Sequence, residues 1–92
     1  MSYEIDGAKT LLIGKSENES FGFVDWFDGS CKKIKYLSIN KYENDDSFYL
    51  FLLDEQFETL SDYFEDSVDE AKGTANQLFP NIKIRWENFI YK

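Results

Sequence analysis

No histidine occurs in the 92 residues, and cysteine, proline and methionine occur once each. Without imidazole, Ser-His-Asp and Cys-His nucleophile pairs are excluded, together with zinc sites built on histidine. A single cysteine, Cys31, makes neither an internal disulfide nor a thiolate cluster, so nothing calls for an oxidising compartment and the cytoplasm is the expected location. The one proline, Pro80, lies near the end and no Gly/Ser-rich stretch interrupts the chain, which predicts a single domain over residues 1–92. Long apolar runs are missing too: Phe48–Leu53 is six residues, against about 18 for a bilayer span. Met1–Thr10 has neither the basic n-region nor the apolar h-region of a secretion signal.

Bases are scarce. Ten Lys and Arg stand against 18 Asp and Glu, a net charge of -8, which repels nucleic acid and anionic lipid, since both are bound through cations. No nucleic-acid and no membrane partner is expected. The imbalance is local: residues 42–70 contain eleven acids and no base, whereas the remainder holds seven acids and ten bases.

Aromatic residues are abundant, with nine Phe, six Tyr and two Trp. A chain this short buries only about 60 to 65% of its unfolded surface, and rings of about 150 to 250 Å² each supply the dense core it needs. Leu11–Ile13 forms a short apolar run within a predicted strand over Lys9–Ile13, closed by Gly14. After a polar turn over Lys15–Ser20, Phe21–Phe27 is aromatic and extended and ends at Asp28-Gly29, a strong hairpin signal because Gly tolerates the positive φ of tight turns. Lys32–Tyr42 reads as one long strand whose apolar phase slips at Tyr36-Leu37. A β-bulge there would put Ile34, Tyr36, Leu37 and Ile39 on one side; the alternative is burial on both faces. Glu43–Asp46 is a turn by composition. Ser47–Leu53 then reads as a central strand, and Phe57–Phe64 as its neighbour through a turn at Asp54–Gln56.

Ser67 with Glu70 forms a capping box, in which hydroxyl and carboxylate each satisfy a backbone N–H at a helix start. The spacing predicts a helix over Val68–Phe79, although Gly73 inside it costs about 1 kcal/mol relative to Ala. Its apolar face is Val68, Ala71, Ala75, Leu78 and Phe79. Beyond Pro80, Asn81–Trp86 is a last strand, and the tail over Glu87–Lys92 is apolar enough to pack. Several strands, one helix and a closing strand predict the α+β class: an antiparallel sheet of four to six strands with one helix, about 68–79, packed on one face.

The stretch Ser47–Phe79, SFYLFLLDEQFETLSDYFEDSVDEAKGTANQLF, combines an aromatic strand, an Asp turn, a second strand and an Asp-Ser-opened helix. It resembles a pattern in small uncharacterised bacterial proteins, which are similar in size and acidity to immunity proteins that neutralise toxins. The resemblance implies a bacterial inhibitor or immunity factor, and no functional residue is carried over from it.

The residues themselves suggest a binding face on the acidic segment. Asp54, Glu55, Glu58, Asp62, Glu65 and Asp66, interleaved with Tyr49, Phe57, Tyr63 and Phe64, would steer a basic protein partner by charge and anchor it by desolvated rings. Asp54, Glu55, Glu58, Asp62, Tyr63, Glu65 and Asp66 are the candidate partner-binding residues. The same acids also serve as plain solvated surface. No catalytic residue, metal site or cofactor is assigned, and the chain is expected not to be an enzyme. No window over 43–70 contains the glycine of an EF-hand loop, and 92 residues leave little room for a carboxylate-lined sugar cleft. Cys31 beside Lys32 and Lys33 has the surroundings of a reactive thiol, but reads more simply as a small, partly buried residue at a strand start. Lys32, Lys33, Lys35 and Lys41 form a basic strand that, at a sheet edge, would block unwanted pairing. With the acidic segment it also allows a weak homodimer beside the monomer. The alternative function is a small-molecule or metal-binding domain with a pocket lined by Trp26, Tyr36 and Trp86.

Overall fold

The computed structural model describes residues 4–5, 8–17, 20–42 and 46–88. The predicted turn over 43–46, apart from Asp46, and the tail beyond Asn88 lie outside them, as do residues 18 and 19 of the predicted polar turn. The fold is α+β. Strands β1 (Glu4–Ile5), β2 (Ala8–Ser16), β5 (Tyr36–Lys41), β6 (Phe48–Leu53) and β7 (Thr59–Glu65) form an antiparallel sheet in the order β1-β2-β5-β6-β7, and β8 (Ile84–Asn88) also pairs with β2. Strands β3 (Gly22–Asp25) and β4 (Cys31–Ile34) make a separate two-stranded ladder. Helix α1 (Val68–Leu78) lies between β7 and β8 in the chain.

Cα partners across an antiparallel ladder share a face, so register divides the side chains into two sets. Leu37, Ile39, Leu50 and Leu52 fall on the helix face, where they bury against Ala71 and Ala75 of α1. Ser38, Asn40, Phe51 and Leu53 fall on the second face and are buried as well. The central strands are therefore apolar on both sides because each side has a core. One packs against α1; the other centres on Ala8, Phe51 and Leu53.

The phase slip in the basic strand has a different origin from a bulge at Tyr36-Leu37. The strand breaks at Lys35, whose N–H donates to Leu53 O (2.8 Å), the residue that Tyr36 also faces. Two residues opposite one is the arrangement of a bulge, placed one step earlier than the pattern suggests. It brings Ile34, Leu37 and Ile39 into one core and turns Tyr36 to the other. Beyond the break, β4 leaves the sheet to pair with β3.

Gly14 does not end its strand. β2 runs on to Ser16 because Gly14 faces Trp86 of β8, and a Cβ there would stand 2.8 Å from the indole Cζ3. The missing side chain allows a close approach. Around Asp28-Gly29 the hairpin forms as the sequence indicates: Gly29 has φ of 88°, its N–H donates to Trp26 O (3.0 Å), and the Asp28 carboxylate accepts from Ser30 N–H (3.0 Å).

Ser67 caps α1, its hydroxyl accepting from Glu70 N–H (3.1 Å), but the Glu70 carboxylate reaches back one residue further than the box predicts, to Asp66 N–H (3.3 Å). The helix ends at Leu78. Phe79 caps it and packs its ring 5.1 Å from Phe21, while Leu78, assigned by spacing to the apolar face, is 38% exposed at the last turn.

Candidate interaction surface

The candidate acids follow β6 into β7, and strand alternation distributes them. Asp54 is only 8% exposed. Its Oδ1 accepts from the N–H groups of Gln56 and Glu58, both at 2.9 Å, while its own N–H donates to Glu58 O and its C=O accepts from Phe57 N–H. This carboxylate folds the turn between β6 and β7 and is not presented to a partner. The turn places Phe57 at φ of 62°, unusual for a residue with a side chain, and its ring stacks on Tyr36 at 4.6 Å and 4°. Strand β7 accordingly starts at Thr59 and excludes Phe57, which the sequence reading places inside it. Glu55 and Glu58 stand exposed on either side of the turn.

Along β7, Asp62 pairs with Phe51 and Phe64 with Tyr49, so both lie on the second face, and both are exposed. Tyr63 and Glu65 pair with Leu50 and Phe48 and turn to the helix face, where Tyr63 packs half-buried against the core. Asp66 is exposed at the approach to α1. The predicted set thus divides: Asp62 shares a surface with Phe64, while Tyr63 and Glu65 occupy the reverse side of the same strand.

The second face has its own order. Tyr42, Tyr49 and Phe64 form a chain of edge-to-face rings at 5.1 and 5.6 Å, with interplanar angles of 84° and 86°, the geometry that sets the positive edge of one ring on the negative face of the next. The chain ends on Phe64, 59% exposed at the sheet margin. Inward of it lies a polar line: Thr10 Oγ1 donates to Asn40 Oδ1 (2.9 Å), and Asn40 Nδ2 donates to Ser38 Oγ (2.9 Å) and to Tyr49 O (3.3 Å). These buried groups satisfy one another, so they fix strand register and offer nothing to a ligand.

At the far margin Glu87 sits between two cations, Lys15 Nζ and Arg85 Nε, each at 3.2 Å. The hydrogen bond from Lys15, the Lys15 charge and the Arg85 guanidinium hold the Glu87 carboxyl below its ordinary value. Charge on this face therefore runs from a cluster of two cations and one carboxylate at β8 to uncompensated acid at β7.

The rings of the alternative pocket do not meet. Tyr36 pairs with Lys15 on the second face, Trp86 pairs with Gly14 on the helix face, and Trp26 lies in the β3–β4 turn, 5.4 Å from Phe27. Cys31 is exposed at the start of β4, not partly buried, with Sγ 3.6 Å from Asp25 Oδ1. Among the described residues no three Cys, Asp or Glu are placed to hold a metal ion.

The sequence reading misses one surface. Phe27 at the hairpin tip is 91% exposed and Phe23 is 64% exposed, while Val24 between them packs inward. The signal was present: Asp25 lies two residues from Phe23, on the same side of β3, and marks that side as wet. Aromatic content alone suggests burial; alternation assigns it to one residue in two.

No helix among the described residues is long and apolar enough to cross a membrane. No protein-family model, no curated protein and no solved structure matches the chain.

Proposed function

We propose that the chain is a small non-enzymatic protein-binding module that takes a basic protein partner on its β6–β7 side, as an inhibitor or immunity factor does. The observation that carries this reading is the pairing of Asp62 with Phe64, exposed side by side on a terminal strand within a segment devoid of Lys and Arg. A carboxylate beside a solvent-facing ring combines long-range steering with a contact that gains on desolvation. Glu55, Glu58, Glu65 and Asp66 extend the field around that contact, and Asp54 supports it from within the turn. A reducing compartment such as the cytoplasm fits a single cysteine that is free and exposed, and a bacterial source fits the resemblance carried by Ser47–Phe79. The state that fits is a monomer or weak homodimer, since like charge on β7 resists self-pairing.

The test is a pull-down from bacterial lysate at low and high salt, with the native chain beside Asp62→Asn/Phe64→Ser. Retention of a basic protein by the native bait alone, lost at high salt, is the expected result. Identical recovery on both baits would overturn the reading.

A further inference from the structure

Strand β7 ends the sheet, and among the described residues nothing pairs with its outer edge. A bulge at Leu60 interrupts its ladder with β6, so its regular edge runs from Ser61 to Glu65, about 17 Å at about 3.3 Å per residue. Along such an edge alternate residues point N–H and C=O outward in the plane of the sheet, a template for one more strand. Natural edges are usually protected by charge, and this one has charge of a single sign: Glu58 before it, Asp62 on its second face, Glu65 on its helix face and Asp66 after it. A β7-to-β7 contact between copies would bring these acids together, which disfavours a second copy as the occupant.

Building on the proposed function, we infer that the partner contributes an extended basic segment that adds to the outer edge of β7 as a further strand. Main-chain hydrogen bonds then supply the contact, and the flanking carboxylates select the sequence. Side chains of an added strand alternate between faces, so Lys or Arg reaches Asp62 on one side and Glu65 on the other. An apolar residue on the second face meets the exposed ring of Phe64. The margin of β8 away from β2 does not offer the same recognition, because Arg85 and Lys15 already neutralise Glu87 there.

The test uses the full chain and two synthetic octapeptides of repeated Lys-Lys-Val-Val, a pattern that puts Lys and Val on both faces of an extended strand, identical except that one is methylated at every backbone nitrogen. Both carry the same charge, but only the unmethylated peptide donates backbone hydrogen bonds. Titration at low salt should show the unmethylated peptide binding at least tenfold tighter, with hydrogen exchange slowed at β7 amides and unchanged at β8. Asp62→Asn/Glu65→Gln should weaken both peptides and preserve the ratio between them. Equal affinity for the two peptides would overturn strand addition while leaving a basic partner on the acidic surface intact. Binding of neither peptide would overturn both. Protection centred on β8, or dimerisation of the chain on addition of peptide, would also overturn the inference.

Discussion

Truncating Asp54 to Ala removes the acceptor for the backbone N–H groups of Gln56 and Glu58 in the turn between β6 and β7. Leaving such groups unpaired costs about 1 to 3 kcal/mol, so Asp54→Ala should lower the unfolding free energy by about 2 kcal/mol, read as a shifted urea midpoint with unchanged slope. Asp54→Asn keeps an oxygen in place and should lose less than half of that. Glu55→Gln, on the exposed side of the same turn, should stay within about 0.5 kcal/mol. Sequence makes the Asp turn legible, since Asp commonly bonds its own backbone. Which of six neighbouring acids is consumed in that way depends on where β6 stops, and a run of carboxylates does not reveal it. Phe27→Ser follows the opposite logic: the ring buries almost nothing, so the variant should unfold with the native midpoint.

Two carboxylates carry pH information. Asp28 is held below its ordinary value of 3.8 chiefly by the hydrogen bond from the Ser30 hydroxyl, then by Ser30 N–H. Glu87 is held below 4.5 chiefly by the hydrogen bond from Lys15. In both cases the unfolded chain takes up its proton at higher pH than the folded one. Each contribution to stability is therefore complete above the ordinary value and disappears as pH falls through the lowered folded value. Carboxyl titration by NMR should show Ser30→Ala raising Asp28 alone and Lys15→Met raising Glu87 alone. If both move together in either variant, the assignment of local causes is wrong.

At the scale of elements, β8 depends on Gly14. An alanine methyl at position 14 would meet Trp86 Cζ3 at 2.8 Å and Ile84 Cγ2 at 3.1 Å. Overpacking of this kind costs about 1 to 3 kcal/mol, so Gly14→Ala should destabilise by about 2 kcal/mol, with exchange accelerating first at the β8 amides. The capping hydroxyl of Ser67 is a smaller lever, and Ser67→Ala should cost about 1 kcal/mol. The helix was the most legible element because its signals are local: a cap, an acid three residues on, and small residues at helical spacing. The strands were harder. Gly14 reads as a stop when only its neighbours are considered, and becomes a close-approach residue only against an indole 72 positions later. The slip near Tyr36 was visible as a defect in periodicity, but a bulge, a break and double-sided burial all leave that trace in a pattern, and here the chain combines all three.

For the whole molecule, the class followed from the order of strands and helix, while the sheet order did not, because non-local pairings such as β2 with β8 have no mark in either segment. The candidate surface was legible as a segment and illegible as a shape. Alternation along β7 divides it, sending Asp62 and Phe64 one way and Tyr63 and Glu65 the other. If steering by this surface governs recognition, affinity for a basic partner should fall steeply with salt and remain nearly flat between about pH 6 and 7, since no histidine titrates there. A salt-independent affinity would remove charge from the account.

Strand β2, paired with β1, β5 and β8, joins the most distant parts of the chain. Its ladder with β5 closes over Thr10 and Asn40, 30 residues apart, whereas β8 reaches it only through a pairing exemplified by Lys15 and Glu87, 72 residues apart. Closing so long a loop is entropically slow relative to local hairpins. On this ground the core under α1 is expected to close last along Ile84 and Trp86. A variant that harms only that seam, such as Gly14→Ala, should accelerate unfolding in stopped-flow traces and leave the refolding rate almost untouched.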